Sequence, residues 1–172
     1  MESNELIAQA SQLLALSEKE LIKRPDEKSW NVLECFEHMN QYHTFYLPEI
    51  AKKIAASKYP ATAEFNSGWF GNYAAKSMLP KKEGKVNLAM KTFPDMDPIG
   101  QSLAPKVIDL FIAQLKELTK LIELSRKVDL RKTQCKLTIK WLKFTLGDTL
   151  HFMINHNRRH MIQIQRILAV ER

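Results

Sequence analysis

From Thr145 to Val170 the chain runs without proline, and Leu146, Leu150, Met153, Met161, Ile164 and Leu168 recur at intervals of three, four or eight residues. At about 100° per residue this spacing lays the side chains in one stripe along a helix, and such a stripe is stable in water only when other surfaces cover it.

Three further stretches can supply the cover. From about Asn4 to Ile22, Leu6, Ala10, Leu13, Leu14 and Leu21 follow helical spacing, ending before Arg24-Pro25-Asp26, where Pro25 disfavours helix in the preceding residue. A second helix is predicted to begin at 31-NVLE-34, where Asn31 can cap and Glu34 can reach back to the Asn31 N–H as a capping box, with Trp30 just outside. It runs to about Ala56, and Pro48 inside it removes a backbone hydrogen bond, so the segment is either one kinked helix or two. The third helix, about Leu103 to Arg126, carries Val107, Leu110, Phe111, Leu115, Leu118, Leu121 and Ile122, with Pro105 in its first turn where no donor is needed. Between the second and third helices, Ser57 to Gln101 loses periodicity and holds Pro60, Pro80, Pro94 and Pro98 with Gly68, Gly71, Gly84 and Gly100. A short helix fits 69-WFGNYAAKSML-79, whose Trp69, Phe70 and Tyr73 are candidates for a substrate wall. In 127-KVDLRKTQCKLTIKWLK-143, Leu137, Ile139 and Trp141 alternate like a strand, without a visible partner. The pattern predicts an all-α four-helix bundle with a long irregular insert between the second and third helices, a single domain over residues 1–172.

Composition narrows the functional classes. The net charge of +7 raises nucleic-acid binding as an option, but the basic residues fall in scattered pairs such as Lys52-Lys53, Lys81-Lys82 and Arg158-Arg159, which reads as a solvated basic surface. Cys35 and Cys135 form neither a CxxC pair nor a disulfide framework. No apolar run is long enough to span a membrane, and MESNELIAQA lacks the basic start and apolar core of a signal peptide, so a cytoplasmic protein is expected.

The chemistry concentrates in 156-HNRRHMIQ-163. On a helix, His156 and His160 stand about 40° apart on one face, and Gln163 lies about 20° from His156. Two imidazoles one turn apart can bind one divalent ion, and His38 on the second helix is the best third ligand. His43 and His151 are each turned about 140° from their nearest histidine and are expected to pack or face solvent. An HExxH metalloprotease site is excluded because Asn157 stands where its glutamate would be, and a di-iron site lacks its Glu-x-x-His motifs. Cys35, one turn from His38, reads as a small buried residue in preference to a ligand or nucleophile. Arg159, at the flank of the histidine face, is open to pairing with Glu34 or Glu37, to holding an anionic substrate, or to packing.

The runs 30-WNVLECFEHMNQYHTFYLPEI-50 and 144-FTLGDTLHFMINHNRRHMIQIQRIL-168 together resemble the DinB/YfiT-like superfamily. The resemblance is carried by Trp30, the helix with His38, the Leu146-Gly147-Asp148 motif and the H-x-x-R-H-x-x-Q pattern, with weaker similarity in the third helix and in 91-KTFPDMDP-98. It implies an up-down-down-up bundle, often dimeric, holding nickel or zinc through His38, His156 and His160. It also implies thiol-dependent transferase or isomerase chemistry with a low-molecular-weight thiol, although many members have no established activity. Relatives often carry an acidic residue where this chain has Asn157. The expectation is a divalent-metal-dependent transferase or hydrolase acting on a small molecule, working as a homodimer, with Glu34 or Tyr42 as candidates to orient substrate or relay a proton. The alternative is a non-catalytic helical bundle serving binding or dimerisation.

Overall fold

The computed structural model describes residues 2–79, 92–139 and 141–170. Its elements, in chain order, are α1 (Glu2–Leu13), α2 (Glu18–Leu21), α3 (Val32–Ala56), α4 (Trp69–Ser77), a 3₁₀ turn (Pro94–Met96), α5 (Lys106–Ser125), β1 (Gln134–Lys136), β2 (Lys143–Thr145) and α6 (Leu146–Ala169). Helices α1, α3, α5 and α6 form the bundle: α1 and α3 each pack on both α5 and α6, and α4 lies against α6. Phe36, Met39, Ile50, Ile108, Phe111, Leu115, Leu118, Leu146, Met153 and Ile164 meet in a common core, each fully or almost fully buried. Leu110, expected on the α5 stripe, turns outward.

The first predicted helix is divided. Ser17 ends the run after α1 and restarts it as α2, because its hydroxyl accepts from Glu20 N while Glu20 Oε2 accepts from Ser17 N at 2.8 Å. The second begins where its cap predicts: Asn31 Oδ1 accepts from Glu34 N at 2.8 Å and Glu34 Oε2 accepts from Asn31 N at 2.7 Å. Helix α3 runs through Pro48 unbroken. Tyr46, Leu47 and Ile50, buried on either side of the proline, anchor both halves, so tertiary packing overrides the lost hydrogen bond.

The link before α6 is a small antiparallel pair, with Cys135 opposite Phe144 and both facing inward. Its partner strand is Lys143–Thr145, immediately before the last helix, while the alternating Leu137, Ile139 and Trp141 form the turn. Trp141 sits at φ +72° with 98% of its surface exposed, an unusual backbone region for a bulky residue. Tyr46 Oη accepts from Thr138 N, and Glu49 Oε1 accepts from Lys136 N at 2.8 Å, fastening this hairpin to α3.

The Leu146-Gly147-Asp148 motif at the start of α6 organises the insert. Thr145 Oγ1 caps α6 by accepting from Asp148 N at 3.1 Å. The Asp148 carboxylate accepts from Thr145 Oγ1, from Ser67 Oγ and from Gly68 N, the cap residue of α4. A carboxylate at that helix start is also favoured by the α4 dipole. The glycines permit the approach: a Cβ at Gly71 would stand 2.3 Å from Asp148, and one at Gly147 would stand 2.3 Å from the Phe65 ring. Residues 80–91 of the insert lie outside the described residues. Among the described residues, no helix is long and apolar enough to cross a membrane.

Candidate metal centre and its cavity

Helices α3 and α6, adjacent in the bundle, bring His38 against His156 and His160. All three imidazoles are buried, and one nitrogen from each lies within 4.8 Å of the others. His38 Nε2 stands 3.2 Å from His156 Nε2. Two nitrogens bound to one ion at about 2.0–2.1 Å in tetrahedral geometry stand about 3.3 Å apart, so the observed spacing fits a shared ion.

The outer nitrogens set the tautomers of two ligands. His38 Nδ1–H donates to the Met96 carbonyl at 2.7 Å, which leaves Nε2 with its lone pair facing the other rings. His160 Nδ1–H donates to Gln163 Oε1 at 2.9 Å, with the same consequence. His156 Nδ1 is buried without a hydrogen-bond partner, and its ring is held by stacking instead: Tyr42 lies 4.3 Å away at 26°, and Phe152 lies 5.6 Å away at 23°. Trp30 covers the outer side, 4.6 Å from His38 and 5.8 Å from His160, and its Nε1–H donates to Asp97 Oδ1 at 2.9 Å.

Burial keeps the cluster neutral. It pulls the His38 pKa down from 6.5 to about 4, against the opposing effects of the Met96 carbonyl and Asp97. His156 and His160 are held well below 6.5, first by burial and then by the imidazoles around them. Neutral imidazoles are the form that ligates a metal. Three nitrogens converging on one point, two of them with lone pairs fixed by their outer hydrogen bonds, therefore fit a divalent ion of the nickel or zinc kind, with coordination positions left open.

The centre opens into a cavity of about 940 Å³. Tyr42, Tyr46, Phe144 and Phe152 line one side, Tyr73 and Ala74 of α4 with its C-cap residue Met78 another, and the hairpin contributes Leu137, Thr138, Ile139 and Leu142. Arg159, Gln163 and Arg166 reach it from α6.

Of the residues predicted for the site, His38, His156, His160 and Tyr42 are brought together at the cavity. Glu34 is one turn from His38 but completely buried in another network: Oε1 accepts from Arg24 Nη2 at 3.0 Å and from Gly100 N at 2.7 Å, and Oε2 from Asn31 N. It is not a lining residue, and its place in the fold is to tie α3 to the segment carrying Met96 and Asp97. Tyr73 lines the cavity as expected, whereas Trp69 is 84% exposed and lies outside the lining. The Phe70 side chain is outside the described residues. Cys35 is buried, and burial pushes its thiol well above the ordinary range, as suits a packing residue. Asn157 faces away from the three imidazoles and meets His43 at 3.0 Å, also fully buried. His151 is on the surface against Phe65. Sequence spacing had no means to find Met96, which acts through its carbonyl, or Arg166, two helical turns beyond Arg159.

The sequence profile of the DinB superfamily matches residues 5–164, and the chain belongs to that superfamily. Comparison with curated proteins and with solved structures finds no match.

Proposed function

We propose that the chain is a divalent-metal-dependent enzyme, a thiol-dependent transferase or hydrolase acting on a small molecule. The observation that supports this reading most is the convergence of three neutral, buried imidazoles at the base of a cavity large enough for a small organic substrate. His38 Nε2, His156 Nε2 and the inner nitrogen of His160 would hold the ion. When bound, the ion supplies Lewis acidity and lowers the pKa of a thiol or water at its open position.

The chain's own residues do the rest. Met96 O and Gln163 Oε1 fix the ring orientations of His38 and His160. Trp30, Tyr42 and Phe152 exclude water from the ligand cluster. Burial raises the Tyr42 hydroxyl to about 12, so it stays protonated and is suited to donate a hydrogen bond to substrate rather than to act as a base. Asp97 accepts from Trp30 Nε1 and from Ile99 N at 3.1 Å, which suits it to holding the cavity wall.

The test is turnover of a small thiol with an activated aryl halide, and of an activated ester, by zinc- or nickel-loaded protein beside His38→Ala. Metal-dependent turnover of either substrate that is lost in the variant supports the reading. Absence of turnover with both, in protein that has taken up metal, favours the binding or dimerisation module instead.

A further inference from the structure

We propose that the tip of the hairpin between β1 and β2 is a docking surface, and that its partner is the face of an anionic lipid bilayer. The inference goes beyond the enzyme reading and needs no bound ion.

Exposed apolar side chains crowd this tip. Leu137 N–H donates to Leu142 O and Leu142 N–H donates to Ile139 O, each at 3.3 Å, which closes the end of the hairpin. Ile139, Trp141 and Leu142 are all exposed there, Trp141 almost completely. Trp141 also holds φ +72°, a region that strains a bulky residue and that turns usually give to glycine. With its indole in water, no packing offsets that strain. A lipid interface, where an amphipathic indole is favoured, supplies the missing contact.

The same segment is basic. The stretch 136-KLTIKWLK-143 holds three lysines and no acid, and Lys140 lies outside the described residues. Lys136 and Lys143 stand directly opposite each other in the strand pair and both are exposed. Their neighbours Cys135 and Phe144 turn inward, so Lys136 and Lys143 share the outward face. Like charges at directly opposite positions repel. Glu49 reaches this hairpin, but its carboxylate accepts from Lys136 N and pairs with Lys53. Among the described residues neither ammonium is ion-paired. An anionic lipid surface relieves the repulsion and contributes about fivefold in affinity per lysine.

Only one partner satisfies both features. A nucleic acid would accept the lysines and leave Ile139 and Leu142 in water. A second copy docked through this face would bring the same unpaired lysines to the contact. A bilayer offers anionic headgroups above an apolar layer, as suits a peripheral protein that lies on the membrane without crossing it. Ile139 and Leu142 also line the cavity, so docking sets the cavity rim at the lipid surface.

The experiment is co-sedimentation of full-length protein with vesicles of phosphatidylcholine alone and of equimolar phosphatidylcholine and phosphatidylglycerol, at low and physiological salt. Wild type should bind the mixed vesicles about tenfold tighter or more, with a blue shift in tryptophan emission. Lys136→Gln with Lys143→Gln should abolish most of that preference. Trp141→Gly should weaken binding about tenfold and lose the blue shift. Its melting temperature should not fall, since glycine accepts this φ. Lys106→Gln with Lys116→Gln removes the same charge from exposed positions on α5 and should change binding little. No binding to the mixed vesicles at low salt, or binding that the α5 pair weakens as much as the hairpin pair, overturns the proposal. So does a wild-type dimer that Trp141→Gly converts to monomer, without vesicle binding by either; that result gives the face to a second copy.

Discussion

His38 Nε2 and His156 Nε2 face each other at 3.2 Å across α3 and α6, from positions 118 residues apart in the chain. Two lone pairs directed at each other are repulsive, and only a proton or a cation between them makes the contact favourable. With His38 Nδ1–H given to Met96 O, the metal-free pair is held by His156 Nε2–H donating to His38 Nε2. Loading the centre moves that proton within the neutral His156 ring, from Nε2 to the unpartnered Nδ1, so binding releases no proton while the imidazoles are neutral and weakens only as pH falls far enough to protonate them.

Gln163 is the most accessible control on this loading. Its Oε1 fixes the His160 ring through Nδ1–H. Gln163→Leu should weaken zinc affinity about 10–100-fold, as loss of an outer hydrogen bond to a ligand does, with little change in melting temperature. Competition against a chelating dye measures it.

The pH dependence of the metal-free protein follows from burial. His38 and His43 are both held at about 4 against 6.5 for a free imidazole. Below 6.5 the unfolded chain takes up protons that the folded chain refuses, so these two rings cost no stability above 6.5, and their cost grows as pH drops toward 4 and is constant below that. Each imidazole costs up to about 3 kcal/mol across that window. Urea unfolding of chelator-treated protein between pH ~8 and ~4.5 should show the decline, and a flat profile would contradict the burial of these rings.

Gly71 tests how the α4 wall is attached. Gly71→Ala sets a Cβ 2.3 Å from the Asp148 side chain, which is pinned by Thr145, Ser67 and Gly68. Overpacking there should cost about 1–3 kcal/mol and detach α4 before the bundle unfolds. Hydrogen exchange over Trp69–Ser77 reads that local opening.

Glu34 and Tyr42 should separate cleanly. Glu34→Ala removes the reciprocal cap of α3 and the buried partner of Arg24, and should cost about 2–4 kcal/mol of stability. Tyr42→Phe should leave the melting temperature within a few degrees and lower kcat about tenfold through loss of one hydrogen bond to substrate. A Glu34→Gln protein of unchanged stability but collapsed turnover would return the carboxylate to a proton-transfer role.

How far the sequence reads depends on the range of each interaction. The Asn31 and Glu34 cap, the α6 stripe and the three histidines are legible because each is local or periodic on one helix. The division of the first helix was missed because Ser17 and Glu20 sit inside a continuous apolar pattern, and their capping box competes with it. The strand partner of Gln134–Lys136 was hidden because Lys143–Thr145 merges directly into the cap of α6. The outer supports of the centre were the least legible. Met96 reaches His38 across 58 residues through a backbone carbonyl, and the Asp148 tie to Gly68 spans 80 residues.

The most direct test of the account is a zinc and nickel titration of purified, chelator-treated protein beside His38→Ala, His156→Ala and His160→Ala, read by calorimetry and elemental analysis. Wild type should take up one ion per chain through the three converging imidazoles, and each alanine variant should lose more than the ~10–100-fold expected for an outer-partner change. A folded wild-type protein that binds neither ion, or variants that bind as tightly as wild type, would contradict it.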